Sequence, residues 1–222
     1  MDKSTPLSKI LPTTKTHLSR LNKLGVNTLG DFLQYFPRTY TDQSNLIKIS
    51  EIRTDQLNTI KGTLSQLVEI KSKFGKKLLK AKLTDSSGSV EIIWFNQPFL
   101  KRVLHNGQQL ILFGKAKFEL GKITLLSPEY EPVQIKQIHT ARIVPVYHET
   151  EGLTSKWIRE KINPLLKYSK EIFPEYLPPE IIDQYQLEPY AQSIMEIHFP
   201  TNLNKLEKAK ARLAFDELFL LQ

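Results

Sequence analysis

The order of strand and helix patterns between residues 58 and 126 constrains the fold of this chain more than any other feature. Alternating apolar and polar residues predict five strands, at residues 58–70, 76–84, 90–95, 109–118 and 122–126. Asp85-Ser86-Ser87-Gly88 predicts a turn after the second strand. A short helical pattern starts at Pro98 and places Leu100, Val103 and Leu104 on one face. Three strands, a short helix and two strands are the order of a five-stranded OB-fold β-barrel.

Helical patterns precede and follow the predicted barrel, so the fold class is α+β, with N-terminal helices and a C-terminal helical linker. Leu24-Gly25-Val26 resembles the turn of DNA-binding helix-hairpin-helix units, whose backbone amides contact phosphate; a small packing module is the alternative. The last helix ends apolar and without a closing cap, which indicates a truncated chain or one that awaits a partner. The predicted segments are an N-terminal helical segment at 1–45, an OB-fold domain at 46–140, a proline-rich helical linker at 141–202 and a terminal helix at 203–222.

The charge balance favours a polyanionic partner. The chain has 31 lysines and arginines against 23 acidic residues, a formal net charge of +8. Such an excess attracts nucleic acid or an anionic membrane surface. The absence of cysteine excludes disulfides and thiolate chemistry, and no apolar stretch of a secretory signal follows Met1. These observations predict a cytoplasmic protein.

No pattern in the sequence predicts catalysis by this chain alone. Three Gly-Lys pairs occur, but none lies in a phosphate-binding loop with the required glycine spacing. The five histidines are scattered, which argues against a metal site, and no Gly-x-Ser-x-Gly nucleophile motif occurs. The acidic pair Asp216-Glu217 is interpreted as part of a solvated helix face. We therefore predict no catalytic, cofactor or metal site here.

Basic and aromatic residues converge on one side of the predicted barrel. By strand alternation, Lys80 and Lys82 share the outward face of the second strand, and Phe95 lies on the outward face of the third. Phe99 follows across a turn, so both rings could project from one corner. Aromatic rings beside positive charge suit stacking on bases while phosphates are held. The predicted electrostatic contacts are Lys73, Lys76, Lys77, Lys80, Lys82, Arg102, Lys115 and Lys117.

Other interpretations of these residues stay open on the sequence. Phe95 and Phe99 could be core rings under the short helix, and lysines on a strand often only keep a sheet edge soluble. An OB-fold could instead bind RNA, as tRNA-binding domains do. The chain could also be an interaction scaffold whose terminal helix docks on a partner.

Several ordered motifs together resemble the N-terminal wedge region of the RecG family, which are bacterial ATP-dependent DNA helicases. The resemblance covers nearly the whole chain. The motifs that carry it are Leu24–Leu33, Phe36–Tyr40, Trp94–Leu100, Pro145–Tyr147, Ile197–Pro200 and Arg212–Leu218.

The resemblance implies a strand-splitting module of a helicase that reverses replication forks and migrates Holliday junctions. Phe95 and Phe99 would stack on exposed bases, and residues 203–222 would begin a motor domain that requires ATP and Mg. The implied partners are branched DNA (forks and Holliday junctions), the chain's own C-terminal helicase domains and single-stranded-DNA-binding protein. The resemblance further implies a monomer without a membrane partner, located in the bacterial cytoplasm at the nucleoid.

Overall fold

The computed structural model describes residues 1–71, 77–119, 121–134 and 137–219. The chain divides into two compact units. A helical unit combines residues 1–41 with residues 143–222, and a barrel unit comprises residues 42–142. The predicted OB-fold segment, 46–140, thus lies within the barrel unit, and the other three predicted segments contribute to the helical unit.

The strands are β1 (Thr39–Asp42), β2 (Leu46–Ile47), β3 (Leu57–Lys71), β4 (Lys77–Thr84), β5 (Ser89–Phe95), β6 (Gln109–Glu119), β7 (Lys122–Leu126), β8 (Glu129–Pro132) and β9 (Ile143–Val146). The helices are α1 (Leu7–Ile10), α2 (Lys15–Lys23), α3 (Leu29–Leu33), α4 (Ser155–Ile162), α5 (Ser169–Ile172), α6 (Pro179–Tyr185), α7 (Tyr190–His198) and α8 (Leu203–Phe219). Short 3-10 helices occur at Ile49–Glu51, Pro98–Arg102 and Asn163–Tyr168.

The barrel unit is a closed sheet. Its strand order is β2-β3-β4-β5-β7-β6-β8, and a further pairing of β3 with β6 closes β3, β4, β5, β7 and β6 into a five-stranded barrel. The predicted OB-fold topology is therefore confirmed. The flanking strands β2 and β8 were not predicted, because two and four residues are too short for a readable alternation.

Alternation along β4 and β5 fills the barrel interior. Leu79, Ala81 and Leu83 of β4 are buried, and Val90, Ile92 and Trp94 of β5 face them in register. These side chains join one apolar cluster with the largest ring, Trp94, fully buried. Burial of each large apolar side chain stabilises the fold by roughly 1.5–3 kcal/mol.

Two local features shape β3. Gly62 leaves room for a neighbouring strand, because a Cβ there would lie 2.7 Å from the carbonyl oxygen of Thr84. Farther along, the register shifts between Ser65 and Val68, and Gln66 has a φ of 53°. This bulge places two residues against one on β4 and turns Val68 and Ile70 outward.

The short helix after β5 corrects one prediction. Leu100 and Leu104 are buried as expected, but Val103 is 47% exposed. The 3-10 helix ends at Arg102, and the Leu104 N–H donates to the Leu100 carbonyl, one α-helical turn earlier. Leu100 and Leu104 therefore share the inner side without Val103.

The turn between α2 and α3 offers no free amide to a phosphate. Thr28 and Asp31 form a capping box, in which the Asp31 carboxylate accepts from the N–H groups of Asn27 and Thr28. The amides of residues 25–26 and 29–30 donate to backbone carbonyls. Because these amides already have partners within the chain, the structure favours the packing-module alternative.

Helix α8 corrects a second prediction, since Asp216 is buried and not on a solvated face. Its carboxylate accepts from the Nε of Arg212, at 3.0 Å, and from the Tyr176 hydroxyl, at 2.7 Å. Elsewhere in the helical unit, Ile143, Ile197 and Leu206 form a buried cluster. No helix in the described ranges is both long enough and apolar enough to cross a membrane.

Candidate nucleic-acid interface

Two aromatic rings project from one end of the barrel. Phe95, the last residue of β5, is 43% exposed, and Phe99, in the 3-10 helix that follows, is 56% exposed. Trp94 and Leu100, their neighbours in sequence, are fully buried. The predicted outward position of both rings is confirmed, and the alternative that they are core residues is excluded.

Hydrogen bonds hold the backbone around Phe95 in place. The indole Nε1 of Trp94 donates to the Pro128 carbonyl at 3.0 Å. The N–H of Phe95 donates to Ser127 Oγ at 3.1 Å, and the Ser127 N–H donates to the Ile93 carbonyl at 2.7 Å. The backbone of this corner is therefore fixed before any ligand arrives, which lowers the ordering cost of binding.

The Phe95 ring continues an apolar row across the sheet. Ile70, Leu78 and Phe95 lie opposite one another on β3, β4 and β5 and so share the outward side. Ile70 is 38% exposed, and Val68, in the next row, is 48% exposed. Sequence reasoning missed these two residues, because their orientation depends on the β3 bulge.

Three of the predicted basic contacts are engaged in ion pairs. Lys80 Nζ lies 2.9 Å from Glu91, Lys77 Nζ lies 3.4 Å from Glu69, and Lys115 Nζ lies 3.7 Å from Asp55. Strand alternation could not show which carboxylates the register brings beside these lysines. Their contact with DNA stays a prediction.

The structure describes three of the five remaining predicted basic contacts. Among the side chains that the structure describes, which do not include that of Glu119, no carboxylate lies at salt-bridge distance from Lys82, Lys117 or Arg102. Lys82 lies opposite Glu91, and Lys117 lies opposite Thr124 on the same outward side. Lys73 and Lys76 lie outside the described residues.

A groove of about 740 Å³ runs along this outward side. Among the described residues, three lysines, Lys80, Lys82 and Lys122, and one carboxylate, that of Glu91, line it. The other residues that line it are Gln66, Val68, Ala81, Ser89, Val90 and Ile123. A basic groove with apolar side chains in its walls suits a single nucleic-acid strand. The described part of the chain contains no cluster of three or more histidine or acidic ligands for a metal.

Sequence reasoning also missed Phe118. This ring, at the far end of β6, is 63% exposed. Its alternation with the buried Ala116 predicts a core position, so no sequence signal identified it.

The chain resembles known proteins over its whole length. The family model described as the RecG wedge domain matches residues 12–168. The ATP-dependent DNA helicase RecG of Thermotoga maritima is 30% identical over 100% of this chain and 29% of its own length. That of Synechocystis is 31% identical over 98% of this chain and 28% of its own length.

A solved structure of RecG bound to a three-way DNA junction superposes with a TM-score of 0.84 at 28% identity. The match covers 100% of this chain and 30% of that chain. The chain therefore spans about 30% of the length of the relatives that it matches. With the family model matched over most of its residues, the chain belongs to the RecG wedge domain family.

Proposed function

We propose that this chain binds branched DNA as the strand-splitting wedge of a helicase that reverses forks and migrates Holliday junctions. The observation that carries this proposal is the pair of exposed rings, Phe95 and Phe99, at the end of a basic OB-fold barrel. The match to RecG bound to a three-way junction supports it.

The rings would act where base pairs part. A base that leaves the duplex loses its stacking partner, and stacking on Phe95 or Phe99 offsets that loss by roughly 1–3 kcal/mol. Because Trp94, Ser127 and Pro128 fix the Phe95 backbone, the ring needs little ordering when the base arrives. The groove lined by Lys80, Lys82 and Lys122 would then guide one separated strand.

The work of strand separation would come from motor domains outside this chain. The matched relatives are ATP-dependent DNA helicases, so we place ATP and Mg with those domains. In this proposal residues 203–222 lead into the motor, and the protein acts as a monomer in the bacterial cytoplasm, near the nucleoid. Single-stranded-DNA-binding protein is its proposed protein partner.

Replacing Phe95 by alanine is expected to weaken binding to a three-way junction by roughly 5- to 150-fold, the equivalent of one lost base stack. Binding to plain duplex should change little, because paired bases cannot reach the ring. Fluorescence anisotropy with labelled junction and duplex measures both affinities. Tyr185→Ala is the matched control, since Tyr185 is an exposed ring (55%) in the helical unit.

Equal losses on junction and duplex would refute stacking by Phe95. A competition between forked DNA and structured RNA tests the substrate class, and a clear preference for RNA would overturn the proposal in favour of an RNA-binding module.

Lysine substitutions test the groove through salt dependence. Lys82→Ala is expected to reduce the slope of log affinity against log salt by about 0.7–0.9, because one phosphate contact is lost. Lys61→Ala is the control, since Lys61 lies in β3 opposite Ile111 and does not line this groove. Binding titrations of the junction at several salt concentrations measure the slopes.

The ion pair between Lys80 and Glu91 suggests a second variant, whose expected effect on DNA binding is the opposite of that of Lys82→Ala. Glu91→Gln removes the carboxylate that pairs with Lys80 in the groove, so junction affinity should rise and the salt slope should steepen. If Lys82→Ala and Lys61→Ala lower the slope equally, the phosphate path does not follow this groove.

A further inference from the structure

A connection of five residues carries both exposed rings, and the residues on either side of it are anchored in the barrel core. Trp94 and Leu100 are fully buried and belong to the same apolar cluster. Residues 95–99 join them, with Phe95 first and Phe99 last. The backbone between the two rings therefore determines where Phe99 lies relative to Phe95.

Hydrogen bonds set the backbone at both ends of this connection. At the Phe95 end, the Oγ of Ser127 accepts from the Phe95 N–H at 3.1 Å. At the Phe99 end, the Leu100 N–H donates to the Gln97 carbonyl at 3.1 Å. The path of the chain from one ring to the other then depends on the three residues that lie between them.

Among these three residues, Asn96 has the unusual backbone conformation. Its φ is 54°, in the left-handed region that residues other than glycine rarely adopt. Gln97 has a φ of −123°, and the ring of Pro98 fixes its own φ at about −65°. Strand β5 ends directly before Asn96, and the 3-10 helix begins two residues after it. Asn96 therefore turns the chain out of the strand direction.

An extended backbone at position 96 would separate the two rings. The strand would continue, and residue 99 would lie roughly 13 Å beyond Phe95, at about 3.3 Å per residue. Leu100 would be drawn away from the core cluster that it now joins. The burial of Leu100 therefore maintains the left-handed turn. Unfavourable backbone conformations persist where the surrounding structure over-determines them, and they concentrate at functional sites.

We propose that Asn96 is a positioning residue of the wedge, whose left-handed backbone fixes Phe99 relative to Phe95 so that both rings meet the parted bases together. This inference rests on the proposed function, because it takes both rings as the stacking groups. The Asn96 side chain is exposed, and the residue acts through its backbone, since asparagine adopts a positive φ more readily than most other residues. A fixed pair of rings lowers the ordering cost of the second stack.

The test compares variants of Asn96 that differ in how readily they adopt a positive φ. Asn96→Gly should keep the affinity for a three-way junction, because glycine adopts this conformation freely. Asn96→Val should weaken junction binding by roughly 5- to 30-fold, the equivalent of one left-handed L-residue, and Asn96→Ala should lie between the two. Binding to plain duplex should not change. Fluorescence anisotropy measures the affinities, and circular dichroism checks that each variant is folded.

Gln186→Val is the matched control. Gln186 is an exposed residue with a φ of 49° at the end of α6, so the substitution introduces the same backbone strain in the helical unit. It should leave junction affinity unchanged. A second readout separates positioning from stability, because Phe99→Ala should cost less affinity in the Asn96→Val chain, where the ring is already displaced, than in the unaltered chain.

The outcomes separate this proposal from the wedge function. If Asn96→Gly loses as much affinity as Asn96→Val, the side chain itself binds DNA and the positioning role is overturned. Full affinity in Asn96→Val, an equal loss in Gln186→Val, or an equal cost of Phe99→Ala in both chains would overturn it too. Should Asn96→Val fail to fold, the milder Asn96→Ala decides by the same comparisons. If Phe95→Ala still weakens junction binding in these cases, the wedge function stands without a role for Asn96; otherwise both proposals fail.

Discussion

Replacing Arg212 by methionine is expected to lower the free energy of unfolding by about 3–5 kcal/mol, because it leaves the buried carboxylate of Asp216 without its cation. The Arg212 side chain is fully buried. Its Nη1 and Nη2 atoms donate to the two carboxylate oxygens of Glu175, at 2.8 and 2.7 Å. Its Nε donates to Asp216, and Nη1 also donates to the Glu188 carbonyl.

Hydrogen bonds within this cluster stabilise the charged forms of both Arg212 and Glu175. Burial would lower the pKa of Arg212, but its hydrogen bonds with Glu175 and Asp216 raise it above its ordinary value. Hydrogen bonds from Arg212 in turn lower the pKa of Glu175 to about 2. The rings of Tyr176 and Tyr190 lie 5.9 and 5.3 Å from the guanidinium and complete its enclosure. The cluster therefore fixes α8 to the segment that precedes α7.

Urea unfolding monitored by circular dichroism measures the loss. Lys210→Met on the same helix is the control, since the Lys210–Glu207 pair is exposed and such pairs contribute about 0–1 kcal/mol. The triple variant Arg212→Met, Glu175→Gln, Asp216→Asn should be more stable than Arg212→Met alone, because no unpaired charge stays buried. A loss below about 1 kcal/mol for Arg212→Met would contradict the account.

Strand alternation predicted much of the barrel because β4 and β5 each have one face in the core. Period-two patterns identify which side a residue takes, and so Phe95 was placed outward correctly. The pattern failed where a strand leaves the core. Phe118 follows the alternation of a buried residue, yet its side chain is exposed.

The sequence alone could not show which charged residues from different segments form ion pairs and hydrogen bonds. Glu91 neutralises Lys80 because β4 and β5 pair in one particular register, and a shift of one residue would place these side chains on opposite faces. Asp216 resembled a surface acid, yet Arg212 and the Tyr176 hydroxyl, which is 40 residues away, enclose it. Local patterns therefore predict orientation, whereas tertiary register determines which charges stay free to bind a ligand.

A buried histidine makes the helical unit sensitive to acid. His198 is fully buried, with Nε2 at 2.8 Å from the Leu33 carbonyl and Nδ1 at 2.8 Å from the Tyr147 hydroxyl. A carbonyl only accepts, so Nε2 carries the proton and Nδ1 accepts from Tyr147. Both ring nitrogens are satisfied in the neutral form. A second proton would have to displace the Tyr147 donor and charge a ring without solvent, and burial accordingly lowers the pKa of His198 to about 4.

Acidification from pH 6.5 to pH 4 is expected to cost about 3 kcal/mol of folding stability through His198 alone. The unfolded chain takes up the proton near pH 6.5, whereas the folded chain takes it up only near pH 4. The contribution is therefore fully present above pH 6.5, falls as the pH decreases, and is lost below pH 4. Urea unfolding at several pH values measures this slope.

The non-titrating variant His198→Gln separates this effect from that of other acid-sensitive groups. A glutamine can donate to the Leu33 carbonyl and accept from the Tyr147 hydroxyl, but it takes up no proton in this range. The other four histidines and all carboxylates are shared by both chains, so their contributions cancel in the difference between the two curves. That difference should shrink by about 3 kcal/mol between pH 6.5 and pH 4. Parallel curves over this range would show that His198 is protonated in the folded state without cost, and the hydrogen-bond assignment would then be wrong.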